Sequence, residues 1–417
     1  MNPAVYKLET FEKVAELENS GNWQEMLTFC EDWAKEEPQN LFAWQGIGNA
    51  LRKLGKASEA IPMFRKGIEV APPHPRVLMG EITISSAPLW YCLGQTFIEL
   101  GDRNKAIEAL LEGTKVDPEN PEVADIWNEL GIVYGNMPPR DLKSAFEAIR
   151  KAVSVNPRNT NSLNNLGKMY ANGLGVSKDY KEAVKWFRLA AEQGYADAQF
   201  NLGASYNDGQ GVHQDSKEAI RWFRLAADQG FADAQFNLGA MFTNGQGVPQ
   251  DFKEAIKWLR LAADRGFAKA QNLLGVAYRR GQGVPQNDQE AIKWLRLAAE
   301  QGLVFAQNYL GVLYSNGQGI PQDFKEAIKW YRMGAEQGNA LSQRGLGEMY
   351  SRGQGVPQDL ILAHMWLNIA ASTDSKAMQA RDALEKIMTA NQIAQAHELA
   401  VNVSQTISKN VGGSDRL

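Results

Sequence analysis

The chain has 417 residues, 44% hydrophobic and 22% charged, with 48 acidic against 44 basic side chains and a formal net charge of −4. That balance offers no global attraction to a phosphate backbone, and two cysteines in this length exclude a disulfide framework. No run of about 18 apolar residues exists to cross a bilayer, and the start MNPAVYKLETFEKVAELE lacks the basic-then-apolar order of a signal peptide, so a cytoplasmic chain beginning at Met1 is expected.

From the N-terminus, residues 5–40 show one legible helix pattern, Trp23, Met26, Cys30 and Trp33 followed by Pro38, and are expected to form a degenerate cap at 1–40. Residues 41–74 and 87–120 share one spacing: Trp44, Gly48, Ala60 and Pro72 recur as Trp90, Gly94, Ala106 and Pro118. Residues 124–159 repeat it as Trp127, Gly131, Ala145 and Pro157, with Met137-Pro138-Pro139-Arg140 lengthening the middle. Residues 75–86 exceed the period; they read as a short loop or as an extension of the preceding helix past Pro75. Cys30 and Cys92 read as packing residues.

Beyond residue 160 the period becomes 36. Trp186, Trp222, Trp258, Trp294, Trp330 and Trp366 keep that interval, as do Gly167 through Gly347 and Gln199 through Gln379. A fixed period of this size marks a repeat array rather than one globular core. In the unit 232–267, Ala234, Leu238 and Met241 recur at helical spacing, and Asn244-Gly245 ends that helix. The turn Gly-Gln-Gly-Val-Pro-Gln follows, then Asp251 and Glu254 stand as a capping box for a second helix with the apolar stripe Ala255, Trp258, Leu259 and Ala262. One hairpin cannot bury its stripe, whereas stacked hairpins can. The glycine of each Leu-Gly pair is expected to admit a close helix and the tryptophan to fill the gap between hairpins; a fully buried Trp258 would cost about 3–5 kcal/mol on truncation. In 340–375 the pattern weakens, with Leu362 at the Glu position and Ser372-Thr373-Asp374 for the final glycine. A long helical segment over about 376–408 is expected to close the exposed end, its polar side carrying Gln392, Gln395 and Glu398, before a flexible tail at 409–417.

These residues resemble the Sel1-like repeat, with its A-x-A-Q-x-x-L-G, G-x-G-V and W-x-x-x-A-A-x-x-G segments, in six units: 160–195, 196–231, 232–267, 268–303, 304–339 and 340–375. The N-terminal spacing resembles the tetratricopeptide repeat, the two types merging without a linker. The resemblance implies an all-α fold, a right-handed α-solenoid (superhelix) of stacked antiparallel helix pairs. It also implies that first helices line a concave, partner-binding surface, at positions 2, 5, 6, 9, 12 and 13 of each unit. Positions 5 and 6 nominate Asn164, Asn165, Phe200, Asn201, Phe236, Asn237, Asn272, Asn308, Tyr309 and Arg344; positions 12 and 13 add Asn207, Asp208, Asn244, Arg279, Arg280, Asn316 and Arg352. Amides interleaved with aromatics suit an extended peptide, and the late arginines suit an acidic partner feature. The same amides would equally satisfy groups between adjacent helices, and the same rings would pack on neighbouring helices. The carboxylate-binding set known in tetratricopeptide domains is incomplete, with Gln45, Asn49 and Cys92 at its positions.

The sequence carries no recognisable catalytic signature. His74, His213, His364 and His397 lie in distant segments without metal-ligand spacing and read as loop or surface residues. The repeated Gly-x-Gly-Val lies between helices and lacks a following Lys-Ser/Thr, so it reads as turn chemistry. No cofactor and no metal is expected. The expected function is a non-catalytic scaffold or adaptor, monomeric or part of a hetero-complex, binding a protein or peptide. An inhibitor or immunity protein occluding a toxin, protease or nuclease is the alternative, and a hydrolase-type enzyme the third.

Overall fold

The computed structural model describes residues 8–73, 76–78 and 82–411. Among them are twenty-two α-helices and one two-stranded sheet. The chain forms two compact units, Met1–Ser205 with Gly209–His213 and Tyr206–Asp208 with Gln214–Leu417.

The first unit holds α1 (Leu8–Ser20), α2 (Trp23–Glu36), α3 (Leu41–Lys53), α4 (Ala57–Val70), β1 (Arg76–Leu78), β2 (Ile82–Ile84), α5 (Ala87–Glu99), α6 (Arg103–Val116), α7 (Val123–Asn136), α8 (Leu142–Val155), α9 (Thr160–Asn172), α10 (Tyr180–Glu192) and most of α11 (Ala196–Asp208). The second holds α12 (Ser216–Asp228), α13 (Ala232–Asn244), α14 (Phe252–Asp264), α15 (Ala268–Arg280), α16 (Asp288–Glu300), α17 (Val304–Asn316), α18 (Phe324–Glu336), α19 (Ala340–Arg352), α20 (Leu360–Ala370), α21 (Ser375–Glu385) and α22 (Ala390–Val411). In each unit the helices pack in successive pairs, α3 on α4 and α13 on α14 for example, and each pair packs on the next. Each unit is thus an α-solenoid of helical hairpins. The change of repeat type falls inside the first unit, where Asn159 caps α9 and α8 packs directly on it.

Local chemistry sets the helix ends. Asp179, Asp215, Asp251, Asn287 and Asp323 each accept hydrogen bonds from two backbone N–H groups of the helix that follows. The reciprocal half of the expected capping box is replaced: Glu254 turns to Lys257 Nζ at 2.7 Å and accepts from Trp258 Nε1 at 3.1 Å. From α9 on, first helices end on left-handed glycines such as Gly245.

Three recurring contacts join the hairpins. Gln199, Gln235, Gln271, Gln307 and Gln343 are buried, and each donates Nε2 to the carbonyl eight residues earlier, near the end of the preceding second helix, at 3.0–3.2 Å. That helix-end carbonyl also accepts from the backbone N–H of the glycine that follows the helix, Gly194 N to Ala191 at 3.0 Å for example, so the glutamine supplies its second bond. Arg260, Arg296 and Arg332 donate to the hydroxyls of Tyr278, Tyr314 and Tyr350 on the next first helix. The turn glycine Gly283, with φ +74°, approaches the Phe252 carbonyl of the preceding repeat so closely that a Cβ would collide with it.

The glycine of each Leu-Gly pair faces its own hairpin partner, at the residue after the tryptophan: Gly239 meets Leu259 and Gly275 meets Leu295. Trp294 and Trp330 are buried, but Trp258 is half-buried, so Leu259 and Leu295 fill the core there. Cys30 and Cys92 are buried and free.

Two expectations change. Residues 76–78 and 82–84 are neither helix extension nor plain loop: β1 pairs antiparallel with β2, Arg76 opposite Ile84 and Leu78 opposite Ile82. Val77, Ile82, Thr83 and Ile84 carry the β-branching that favours extended backbone. The helical segment expected over 376–408 is divided into two helices, α21 and α22. Thr389 and Gln392 form a reciprocal capping box that starts α22, Gln392 Oε1 accepting from Thr389 N at 2.9 Å and Thr389 Oγ1 from Gln392 N at 3.3 Å. Gln392 is therefore a capping residue; Gln395 and Glu398 are exposed as expected. Helix α22 continues to Val411, and the rest of the expected tail lies outside the described residues.

Candidate interaction face of the first helices

The asparagines nominated in the first unit are used internally. Asn165 Nδ2 donates to Asn128 Oδ1 at 2.9 Å, and Asn201 Nδ2 to Asn164 Oδ1 at 2.8 Å. Position 6 of one repeat thus bonds position 5 of the repeat before it, and Asn128 and Asn164 are buried by this contact. The arrangement ends where position 5 becomes Phe200 and then Phe236, which carry no amide.

In the second unit the nominated residues are half-buried: Phe236, Asn237, Asn272, Asn308, Tyr309 and Arg344, as is Phe200 in the first. Phe236 packs against Phe267 with ring centroids 5.4 Å apart. Asn308 accepts from Ser342 Oγ at 3.4 Å, and Tyr309 packs against the core of the last repeats. The expected basic group divides. Arg279 pairs with Asp288 at 3.0 Å, and Arg344 with Glu348 at 3.8 Å and Asp374 at 3.4 Å, whereas Arg280 and Arg352 are exposed.

Two apolar features escaped the sequence reading. Phe305 on α17 is 68% exposed and Leu341 on α19 is 45% exposed, and these two helices pack together. Both stand at position 2, where other units carry Asp197, Asp233 and Lys269. Position 2 belonged to the partner-facing set, so reading its side chains one by one was the available signal. The second feature is a 36-residue series of exposed leucines on second helices, Leu189, Leu225, Leu261 and Leu297.

The histidines need correction. His213 and His397 are exposed, but His364 is fully buried within α20, with Nε2 2.9 Å from Glu385 Oε1 and its ring stacked on His397 at a centroid distance of 5.2 Å. Spacing along the chain could not show this, because the three residues come from three helices. His74 lies outside the described residues. No described helix is long and apolar enough to cross a membrane.

The Sel1 repeat profile matches residues 160–195, 196–231, 232–267, 268–303, 304–339 and 340–373, and a tetratricopeptide repeat profile matches 43–74 and 87–120. Among solved structures, a Sel1 repeat protein from Oxalobacter formigenes is 30% identical, with a TM-score of 0.57 over 72% of this chain and 86% of that one. A protective antigen with an SLR fold from uropathogenic Escherichia coli strains is 25% identical, with a TM-score of 0.49 over 96% of this chain and 95% of that one. No curated protein matches the chain.

Proposed function

The chain belongs to the Sel1 repeat family, and from that membership we propose that it is a non-catalytic adaptor holding a protein or extended peptide against the first helices of its C-terminal repeats. Sel1 and tetratricopeptide repeats generally serve as interaction scaffolds. The observation that carries the reading is Phe305, a large aromatic left mostly in water at a position that is charged in the three preceding repeats. Aromatic and aliphatic anchors of this kind supply most binding energy at protein interfaces. Tyr309 follows one helical turn later on the same side of α17, and Leu341 extends the apolar area onto α19. Exposed Arg280 and Arg352 favour an acidic rim on the partner.

The test is affinity purification with the full chain from its native host, then affinity measurement for the recovered partner. The double variant Phe305→Asp, Leu341→Asp should bind at least about tenfold more weakly, with unchanged helicity by circular dichroism. Unchanged affinity would overturn the assignment of this face. Loss of affinity instead in Leu225→Asp, Leu261→Asp, Leu297→Asp would move the interface to the second helices.

A further inference from the structure

The fold gives His364 a position that the other Sel1 units fill with aliphatic residues. Its equivalents at 36-residue intervals are Val184, Ile220, Ile256, Ile292 and Ile328, all buried or nearly so in the stack. A histidine there removes apolar packing and brings two ring nitrogens out of water, which is unfavourable unless those nitrogens have work to do. His364 Nδ1 has no hydrogen-bond partner among the described residues. In this last repeat α20 packs against both closing helices, and those helices supply the rest of a donor set. Glu385 comes from the end of α21 and His397 from α22, and one ligand atom from each of the three residues lies within 4.8 Å of the others.

We propose that His364, Glu385 and His397 form a binding site for a divalent ion of the zinc class, which fastens α21 and α22 to the last repeat. Two imidazoles and a carboxylate match the preferences of such an ion and form a recurrent three-ligand set, leaving a fourth place for water. Bonds of about 2.0–2.2 Å at tetrahedral angles put ligand atoms about 3.3–3.5 Å apart and imidazole centres about 5 Å apart. The rings of His364 and His397 already stand 5.2 Å apart. His364 Nε2 and Glu385 Oε1 are 2.9 Å apart across a hydrogen bond, so the ion would replace the shared proton after a small opening of that pair. Arg381 stands beside the site: its Nε is 3.7 Å from Glu385 Oε1, and its guanidinium also bonds Asp382 at 2.7 Å and Asn368 at 3.1 Å, so Glu385 shares this cation with two other acceptors. The exposure of Glu385 and His397 gives the ion a route from solvent. The proposal is independent of the adaptor reading.

Tag-free full-length protein should be titrated with ZnCl2 by isothermal calorimetry and melted with and without zinc. We expect one ion per chain at a Kd of about 1 μM or tighter, and a higher melting temperature with zinc that EDTA reverses. His397→Ala and Glu385→Gln should each weaken binding at least about tenfold. His364→Ile, which restores the residue type of the other repeats, should fold and lose binding. The double variant His74→Ala, His213→Ala should keep it. Absence of zinc binding, or binding that survives His397→Ala, Glu385→Gln and His364→Ile, would overturn the site. So would a loss of stability in Glu385→Gln that is the same with and without zinc, since that is what a plain helix-to-helix hydrogen bond would give.

Discussion

Asn201 Nδ2 donates to Asn164 Oδ1 at 2.8 Å, from α11 to α9, one repeat apart in the sequence. Asn164 is 1% exposed, so water cannot replace this acceptor. A side chain that reads as partner-facing from its repeat position is therefore part of the seam between hairpins, and its removal should be felt in folding.

Asn201→Ala strands the buried Asn164 Oδ1 and should cost about 1–3 kcal/mol. The double variant Asn164→Ala, Asn201→Ala should cost clearly less than the sum of the two single changes, because the second removes the stranded acceptor. Urea unfolding of the four proteins measures this; strict additivity would show that the two amides act separately.

Core truncation should rank by burial. Leu259, against Gly239, is 2% exposed, and Leu259→Ala should cost about 2–5 kcal/mol. Trp258→Ala should fall below the about 3–5 kcal/mol of a fully buried tryptophan, since Trp258 keeps part of its surface in water. Denaturant midpoints for the two variants decide the order.

Two glycines with similar backbone separate strain from crowding. Gly302 has φ +87° and no atom within 4 Å of an added Cβ, so Gly302→Ala should cost only the left-handed penalty of about 1–2 kcal/mol. Gly283 has φ +74° and the Phe252 carbonyl in the way, so Gly283→Ala carries the same penalty plus a displacement of the turn from the preceding repeat. Equal melting temperatures for the two variants would contradict the contact.

Glu129, on α7, is the carboxylate that burial penalises. Desolvation pushes its carboxyl up from the ordinary value, opposed by Arg52 and reinforced by Asp125. The folded chain then holds this proton to higher pH than the unfolded chain does, so stability falls as pH rises from the unfolded value through the folded one. Glu129→Gln should be more stable than the parent at neutral pH, with the advantage shrinking in acid once both states are protonated. Thermal melts across pH would expose a wrong sign as an advantage that grows on acidification.

Much of this architecture was readable before any coordinates. The 36-residue interval of tryptophan, glycine and glutamine, the Asp caps of second helices and the Asn-Gly ends of first helices all act within one hairpin or by repetition. The apolar stripe of each helix likewise follows from side chains three and four residues apart. Such near-neighbour rules depend on local backbone preference, so residue order alone determines them. Thr389 and Gln392 also have capping-box spacing, a local signal that divides the helical segment over 376–408 into two helices.

Tertiary structure decided which of two uses each surface residue has. Asn164 and Asn201 are side by side only because successive hairpins stack in one register, and Arg279 is neutralised while Arg280 is left exposed because neighbouring positions on a helix point in different directions. The same holds for His364, Glu385 and His397. They are separated by 21 and 12 positions, and they meet because the closing helices fold back over the last repeat, a contact made by packed faces rather than by distance along the chain.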